Sequence, residues 1–412
     1  IIGVAQDGEK MVDVIGWPSS EIVGLIRGKR GTKVTVKLLG AGAAMSQARS
    51  VTIVRDVIQE EDAGVRSRTV EITRDGKKHV LGVVEIPSFY LNYRARRAGA
   101  DYRSVSEDTN KALQTLANKN VEGIIIDLRN NPGGSLEEVA KMLGQVIKSG
   151  PVVQIRDGNG NVSVFEDTDG GKQTYAGPLA VMINLASASA SEIYSAAIQD
   201  YGRGIVIGST TTGKGTAQVQ LDTLAHGQAT LTQRKFYRVT GGSTQNKGVI
   251  PDIKLVDIYD EEFGERKAKN ALVWDTIATT PFKREGEIES YIPSLSAKSK
   301  QRVDADAQFE YLEARKMIAQ VAKEQKKIVL DIDKRKAELI ALEQKTLDAE
   351  NKRRTETGKK PYPNWESYQA SMDALVESRS KIKANQRPAL PEEETFVTEA
   401  ANVLLDLNHL KK

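Results

Sequence analysis

The chain has 412 residues, which is enough for two or three domains. Charged residues make up 28% of it and aromatic residues 5%, and the net charge is +4. So mild a charge over this length gives no case for nucleic-acid binding, and no apolar run approaches the roughly 18 residues that span a bilayer. Because the chain has no cysteine, thiolate chemistry is excluded.

Residues 1–58 predict a small α/β module. Its predicted strands are 1–6, 32–39 and 50–55, where polar and apolar residues alternate, and its predicted helix is 19–27. Residues 59–78 are charged and predict a linker. On these residues alone, a plain α/β module with no binding role is an equally good interpretation.

Strands and helices alternate from residue 79 to about residue 220. The predicted strands are 79–86, 121–128, 179–185 and 216–221, and the predicted helices are 106–118, one from residue 135 and one from residue 190. Such alternation is typical of a mostly parallel sheet with helices packed on it. The sequence therefore predicts an α/β core in this region.

The composition changes after about residue 263, where Lys, Glu, Asp and Ala dominate and Gly becomes scarce. Helical periodicity runs over 301–352, with Phe309, Leu312, Ile318, Val321, Leu339 and Leu342 as candidates to face inward. A second amphipathic helix is predicted at 392–410, with Phe396, Ala400, Val403, Leu407 and Leu410 on one stripe. The charge runs indicate either solvated helix faces or a docking surface for an adaptor or another subunit.

Ser189 lies where the strand at 179–185 turns into a helix that starts at Ala190. The turn, 186–191, contains only Ala and Ser, so the backbone can bend sharply there. One interpretation is a capping box, with Ser189 as N-cap and Glu192 three residues later. The other is a nucleophile whose developing negative charge is stabilised by the helix N-terminus. Spacing alone does not choose between the two.

A nucleophilic serine needs a base, and Lys214 is the candidate. The three histidines, at positions 79, 226 and 409, lie in no recognisable catalytic setting. A lysine acts as a base only where its pKa falls from about 10.4 toward 7, at a cost of roughly 4 kcal/mol that burial can impose. Gln218 follows four residues later, and a neutral amide can hold an amine without adding charge. The alternative is that Lys214 is a solvated loop lysine.

The segment from Gly208 to Gly215 is close to a phosphate-binding loop, with Lys214 preceded by glycine. A phosphate-binding loop requires Ser or Thr after the lysine to hold magnesium, and a helix after that. Here Gly215 follows, and 216–221 alternates like a strand. We therefore reject a nucleotide hydrolase, which is the nearest competing interpretation of this loop.

Gly133 and Gly134 form a second turn, in Asn131-Pro-Gly-Gly, just before the helix from residue 135. Glycines at a helix N-terminus leave backbone amides accessible, as an oxyanion hole requires, and the amide of Ala190 is a second candidate donor. A strand-to-helix turn with a capping box at Ser135 explains the same residues, and both interpretations can hold together.

Three motifs together resemble the tail-specific proteases, also called C-terminal processing peptidases. They are Ser-Ala-Ser-Ala-Ser-Glu-Ile, Gln-Asp-Tyr-Gly-Arg and Gly-Lys-Gly-Thr-Ala-Gln. By the resemblance Ser189 is the nucleophile, Lys214 its base and Gln218 the residue that orients the base, while Ser187 and Ser191 carry no such role. The resemblance also assigns one oxyanion amide to the Gly133–Gly134 segment, without deciding which glycine.

The resemblance implies a domain organisation as well. It predicts an α/β fold with a crotonase-like serine protease core at 79–262, a truncated PDZ domain at 1–58 and an α-helical domain at 263–412. The strand at 235–239 is then the wall along which a substrate lies. Arg238 and Gln245 either contact substrate or have surface roles. The chain lacks an initiator methionine, so we expect a fragment whose PDZ carboxylate loop precedes Ile1.

By resemblance the function is that of a serine endopeptidase that degrades or processes proteins selected by their C-terminal tails. The resemblance is to the periplasmic bacterial branch, which implies a periplasmic location associated with the inner membrane, and an adaptor lipoprotein as candidate partner. It implies no metal, cofactor, nucleotide or nucleic acid. The alternative from a different class is a catalytically inactive PDZ-type scaffold that only binds peptides.

Overall fold

The computed structural model of the chain describes residues 1–40, 44–56, 64–99, 101–167, 173–221, 229–259, 264–325, 327–382 and 390–411. The chain divides into two compact units, Ile1–Asp62 and Ala63–Lys412. Each unit has a β-sheet on which its buried apolar residues are centred.

The first unit is a four-stranded antiparallel sheet with one helix. The elements are β1 Gly3–Gln6, β2 Val12–Asp13, α1 Ser19–Ile26, β3 Lys33–Leu38 and β4 Arg49–Val54, with strand order β2-β1-β3-β4. Its core is small and consists of Val4, Val14, Val34 and Val36. No residue of α1 is buried, and every residue of β4 is exposed. A PDZ identity for this unit stays a prediction.

The second unit contains two sheets. Its strands are β5 Arg66–Arg74, β6 Lys77–Glu85, β7 Ile124–Asp127, β8 Pro151–Asp157, β9 Val162–Glu166, β10 Leu179–Ile183, β11 Ile205–Gly208, β12 Thr216–Leu221, β13 Ala229–Tyr237 and β14 Ile253–Lys254. The main sheet has the order β14-β11-β10-β7-β6-β5, and its neighbours are parallel except for β5 and β6. The second sheet, β12-β13-β8-β9, is antiparallel. The predicted α/β core is therefore confirmed.

The structure differs from the predicted linker at 59–78. Residues 57–63 lie outside the described residues, but β5 and the start of β6 occupy Arg66–Lys78 as a long antiparallel hairpin at the edge of the main sheet. Charged residues alternate with Val70 and Ile72, which are buried. The charge that indicated a linker belongs instead to the solvent-facing side of an edge strand.

Helices cover both faces of the main sheet. The helices of this unit among the described residues are α2 Tyr93–Arg97, α3 Val105–Asn118, α4 Leu136–Gly144, α5 Ala190–Asp200, α6 Ile292–Asp304, α7 Ala307–Glu324, α8 Ile332–Glu356, α9 Trp365–Ser380 and α10 Pro391–Leu410, and six of them pack on the sheet. One face packs α3, α4 and α5 against residues such as Ile124 and Val181, and the other packs α6, α7 and α10 against Ile125 and Met182. Successive strand residues point to opposite faces, so a doubly covered strand is apolar throughout.

The C-terminal helices differ in detail from their predicted extent. The periodic stretch 301–352 is divided among α6, α7 and α8, because Asp306 and Asp331 cap new helices. Phe309 and Leu312 are buried as predicted, whereas Val321 and Leu339 are exposed. Those two predictions are wrong because the end of α7 and the start of α8 extend beyond the core. Within the described residues, no helix combines the length and apolar character that crossing a membrane requires.

Candidate active site

Ser189 stands at the turn between β10 and α5 in an unusual backbone conformation. Its φ is +55°, a value that residues other than glycine rarely adopt. Its hydroxyl makes no capping hydrogen bond, although its N–H donates to Glu192 Oε2 at 2.8 Å. Only half of the predicted capping box is therefore formed, and the partly exposed hydroxyl stays available.

The two neighbouring serines of the turn are buried and already bonded. Ser187 Oγ donates to Leu128 O at 2.8 Å and accepts from Asn184 N–H at 2.9 Å. Ser191 Oγ donates to Asn131 O at 2.9 Å. Both side chains serve to fix the turn, so Ser189 is the accessible one of the three.

Gly133 packs directly against the Ser189 turn. A Cβ at Gly133 would lie 2.8 Å from Ser189 Cβ and 3.0 Å from Ala190 N, and its φ is +101°. Its N–H donates to Asn131 Oδ1 at 2.9 Å. Among the described residues, no acceptor pairs with the N–H of Gly134 or of Ala190. These two amides are therefore the unpaired donors of the predicted oxyanion set.

Glu192 connects the turn at 186–191, which carries Ser189, to the loop at 208–215, which carries Lys214 and is called the lysine loop below. Its carboxylate is fully buried, and Oε2 accepts the N–H of both Ser189 and Lys214, at 2.8 and 2.9 Å. Oε1 accepts Gly213 N–H at 2.7 Å and Thr211 Oγ1–H at 2.6 Å. Burial raises the pKa of Glu192 to about 6, against the opposing effect of these hydrogen bonds. Sequence reasoning gave Glu192 only a capping role and missed this connection.

Lys214 is half-buried, and its loop is held from both sides. Asn246 N–H donates to Gly213 O at 2.7 Å, and Gly215 N–H donates to Gln245 Oε1 at 2.8 Å. Within the described part of the chain, no hydrogen bond or ion pair is present at Lys214 Nζ. Gln245 is 1% exposed, so its role is to hold this loop and not to meet substrate.

The side chain of Gln218 has its hydrogen-bond partner on the neighbouring strand, β13. It is exposed, and its Nε2 lies 3.5 Å from Thr232 Oγ1. The β12–β13 pairing shifts register between Ala217 and Gln218, so the sequence interval of four residues does not fix where the amide points. No hydrogen bond joins Gln218 to Lys214 among the described residues, and the orienting role of Gln218 stays a prediction.

The other residues singled out from sequence have structural partners. Arg238 forms an ion pair with Asp200 at 2.6 Å, and this pairing favours a structural role. His79 pairs with Glu122 at 3.0 Å and His409 is exposed on α10, while His226 lies outside the described residues. Over residues 208–215, the amides of Gly213 and Lys214 are taken by Glu192, which removes two donors that a bound phosphate would need.

A separate cavity of about 910 Å³ lies at the carboxyl ends of the main-sheet strands. Its lining includes Asp127, Arg129, Ser209 and Phe396, but not Ser189. Several of the charges that line it are paired with one another, as in the 2.6 Å contact of Arg129 with Asp127. No group of three or more His, Asp or Glu side chains that could hold a metal occurs among the residues that the structure describes.

Comparisons with known proteins agree with the resemblance. Residues 80–255 match peptidase family S41, and residues 258–409 match the C-terminal domain of tail specific protease. The chain is 39% identical over 372 residues to the tail-specific protease of Haemophilus influenzae, covering 87% of this chain and 51% of that protein. It is 31% identical over 253 residues to the carboxy-terminal processing protease CtpB of Bacillus subtilis, covering 61% of this chain and 48% of that protein.

The solved structure of a photosystem II D1 C-terminal processing protease aligns with a TM-score of 0.41 at 26% identity. The alignment covers 61% of this chain and 62% of that one. The chain spans about half the length of the curated relatives named above, 51% and 48%.

Proposed function

We propose, from the premise that this chain belongs to peptidase family S41, that it is a serine endopeptidase with Ser189 as nucleophile and Lys214 as general base. One observation carries the proposal: Ser189 is the accessible serine of its turn, and Glu192 ties its backbone to that of Lys214. Nucleophile and base therefore share one rigid support although they are distant in sequence. The match of residues 80–255 to the family supports the same assignment.

The proposed reaction follows from these positions. The unprotonated amine of Lys214 takes the hydroxyl proton as Ser189 Oγ attacks the scissile carbonyl carbon. The N–H groups of Ala190 and Gly134 hold the oxyanion, while Gly133 supports the turn through Asn131. Lys214 then gives the proton to the leaving amine, and water attacks the acyl-enzyme with Lys214 again as base. Gln218 enters this scheme as the residue that orients the amine, on the family resemblance alone.

We further propose that substrates are proteins chosen by their C-terminal tails and that the first unit, as a PDZ domain, takes part in the choice. The name of the Haemophilus influenzae relative supports tail selection. An adaptor lipoprotein as partner is proposed from the resemblance, and the exposed apolar residues Met317, Ile340 and Val376 of the C-terminal helices are candidates for its docking surface. A periplasmic location at the inner membrane is proposed from the resemblance.

A fluorophosphonate probe tests the assignment, because it labels an activated serine. The probe should label the wild-type chain, and Ser189→Ala should abolish both labelling and peptide cleavage. Lys214→Ala should reduce cleavage by roughly 10²–10⁴-fold without unfolding the chain. Wild-type turnover in Ser189→Ala would show that the nucleophile is wrong, and an unlabelled, inactive wild type would favour the binding scaffold. ATP turnover should be absent in every variant.

A further inference from the structure

Asn246 lies immediately beside the lysine loop, in a conformation that holds its backbone there. Its φ is +66°, which Asn tolerates better than most residues. Its N–H donates to Gly213 O, and its backbone atoms lie 3.0–3.3 Å from where a Cβ of Gly213 would be. The preceding residue, Gln245, accepts the N–H of Gly215. Gln245 and Asn246 are therefore hydrogen-bonded to Gly215 and Gly213, the residues on either side of Lys214.

Asn246 Oδ1 is buried and has no hydrogen-bond partner. A buried acceptor without a donor costs about 1–3 kcal/mol, so a donor that comes within reach of this oxygen would be bound favourably. Among the described residues Lys214 Nζ likewise has no partner, and it belongs to the loop that Asn246 grips. No hydrogen bond joins the two groups in this structure.

We propose that Asn246 is a second positioning residue for the base, beside Gln218, and that its Oδ1 accepts a hydrogen bond from Lys214 Nζ when the enzyme cleaves. The inference rests on the proposed Ser189/Lys214 dyad. A neutral amide oxygen directs an amine without adding the negative charge that would keep it protonated. Gln218, the residue predicted for this role, lies against Thr232.

Asn246→Asp is the decisive variant, because Asp keeps the size of the side chain and also tolerates a positive φ. A carboxylate that touches the amine favours the ammonium form, so the rise of cleavage rate with pH should move roughly 1–3 pH units to the alkaline side. The limiting rate at high pH should change little. Asn246→Gly keeps the backbone conformation and removes the acceptor, so it should lower cleavage at every pH by about tenfold without an alkaline shift.

Gln218→Glu is the matched control, since it introduces the same charge at the residue that sequence predicted for the role. An alkaline shift in Asn246→Asp supports the inference, whether or not Gln218→Glu also shifts. An unshifted profile in Asn246→Asp overturns it, whatever Gln218→Glu does. If Asn246→Asp does not fold, the test is the cleavage rate of Asn246→Gly. A rate lowered at every pH supports the inference, and a rate equal to that of the wild type overturns it. Fluorophosphonate labelling of the wild type at Ser189 is read separately, so that failure of the dyad itself is recognised.

Discussion

At the scale of single residues, the site depends on one buried carboxylate. The two oxygens of Glu192 accept four hydrogen bonds, from Ser189, Thr211, Gly213 and Lys214. Each donor left without an acceptor in the interior would cost about 1–3 kcal/mol. This side chain therefore fixes the distance between the two loops that carry the proposed nucleophile and base.

Glu192→Gln should lower cleavage by at least about tenfold, because the amide group cannot accept from two of the four donors. The folded protein holds the proton of Glu192 more tightly than the unfolded chain, since its pKa is raised from 4.5 to about 6. The stability that this gives is complete below about pH 4.5 and is lost as the pH rises through about 6. The unfolding free energy of the wild type, minus that of Glu192→Gln, should thus fall by about 2 kcal/mol in total from well below pH 4.5 to well above pH 6.

Glu137→Gln is the control for this measurement, done by denaturant unfolding at several pH values. The hydrogen bond from Arg96 is the largest cause that lowers the pKa of Glu137. Its contribution is therefore present at neutral pH and lost in acid, so the stability difference from wild type should change with pH in the opposite direction. A stability difference between wild type and Glu192→Gln that does not change with pH would contradict the raised pKa of Glu192.

At the scale of elements, an ion network attaches α10 to the main sheet. Asp406 on α10 is fully buried and accepts from Arg302 on α6 at 2.8 Å and from Arg74 on β5 at 2.7 Å. Arg302 also binds Glu399 at 2.8 Å. Two acidic side chains of one helix are thus neutralised by cations from two other elements, and the apolar stripe of α10 is held over the sheet.

Arg302→Met should destabilise the protein because it leaves Glu399 without a counter-charge and Asp406 with a weaker one. Breaking a buried pair costs roughly 3–5 kcal/mol, and we expect about 3 kcal/mol since Arg302 is half-buried. Arg335→Met, which breaks an exposed pair with Glu338, should change stability by less than about 1 kcal/mol. Chemical denaturation measures both, and equal effects would show that the network does not hold α10.

At the scale of the whole molecule, cleavage should rise from neutral toward alkaline pH and should be unaffected by chelators. The base proposed here is a lysine, which acts only in its unprotonated form, and the unprotonated fraction grows with pH. A rate profile against pH, with and without EDTA, checks both points. Loss of activity in EDTA that zinc restores would sink the mechanism, as would an acidic optimum.

Local patterns in the sequence determined much of this protein. Apolar runs at 121–128 and 179–185 determined buried strands, because both faces of the main sheet are covered. The small-residue turn and the helix from Ala190 followed from composition and spacing. The combined motifs indicated the family, and residues 80–255 and 258–409 match models of peptidase family S41 and of the C-terminal domain of tail specific protease.

Only the tertiary structure decided which side chains meet. Glu192 and Lys214 are 22 residues apart, and Gly215 and Gln245 are 30 apart, so no local periodicity relates them. Ser187, Ser189 and Ser191 are chemically identical in the sequence, and burial with hydrogen bonds to distant carbonyl groups distinguishes them. Charged residues at Arg66–Arg74 resembled a linker until pairing with β6 made them an edge strand. Partners, exposure and register are properties of packing, and packing is set by the whole chain.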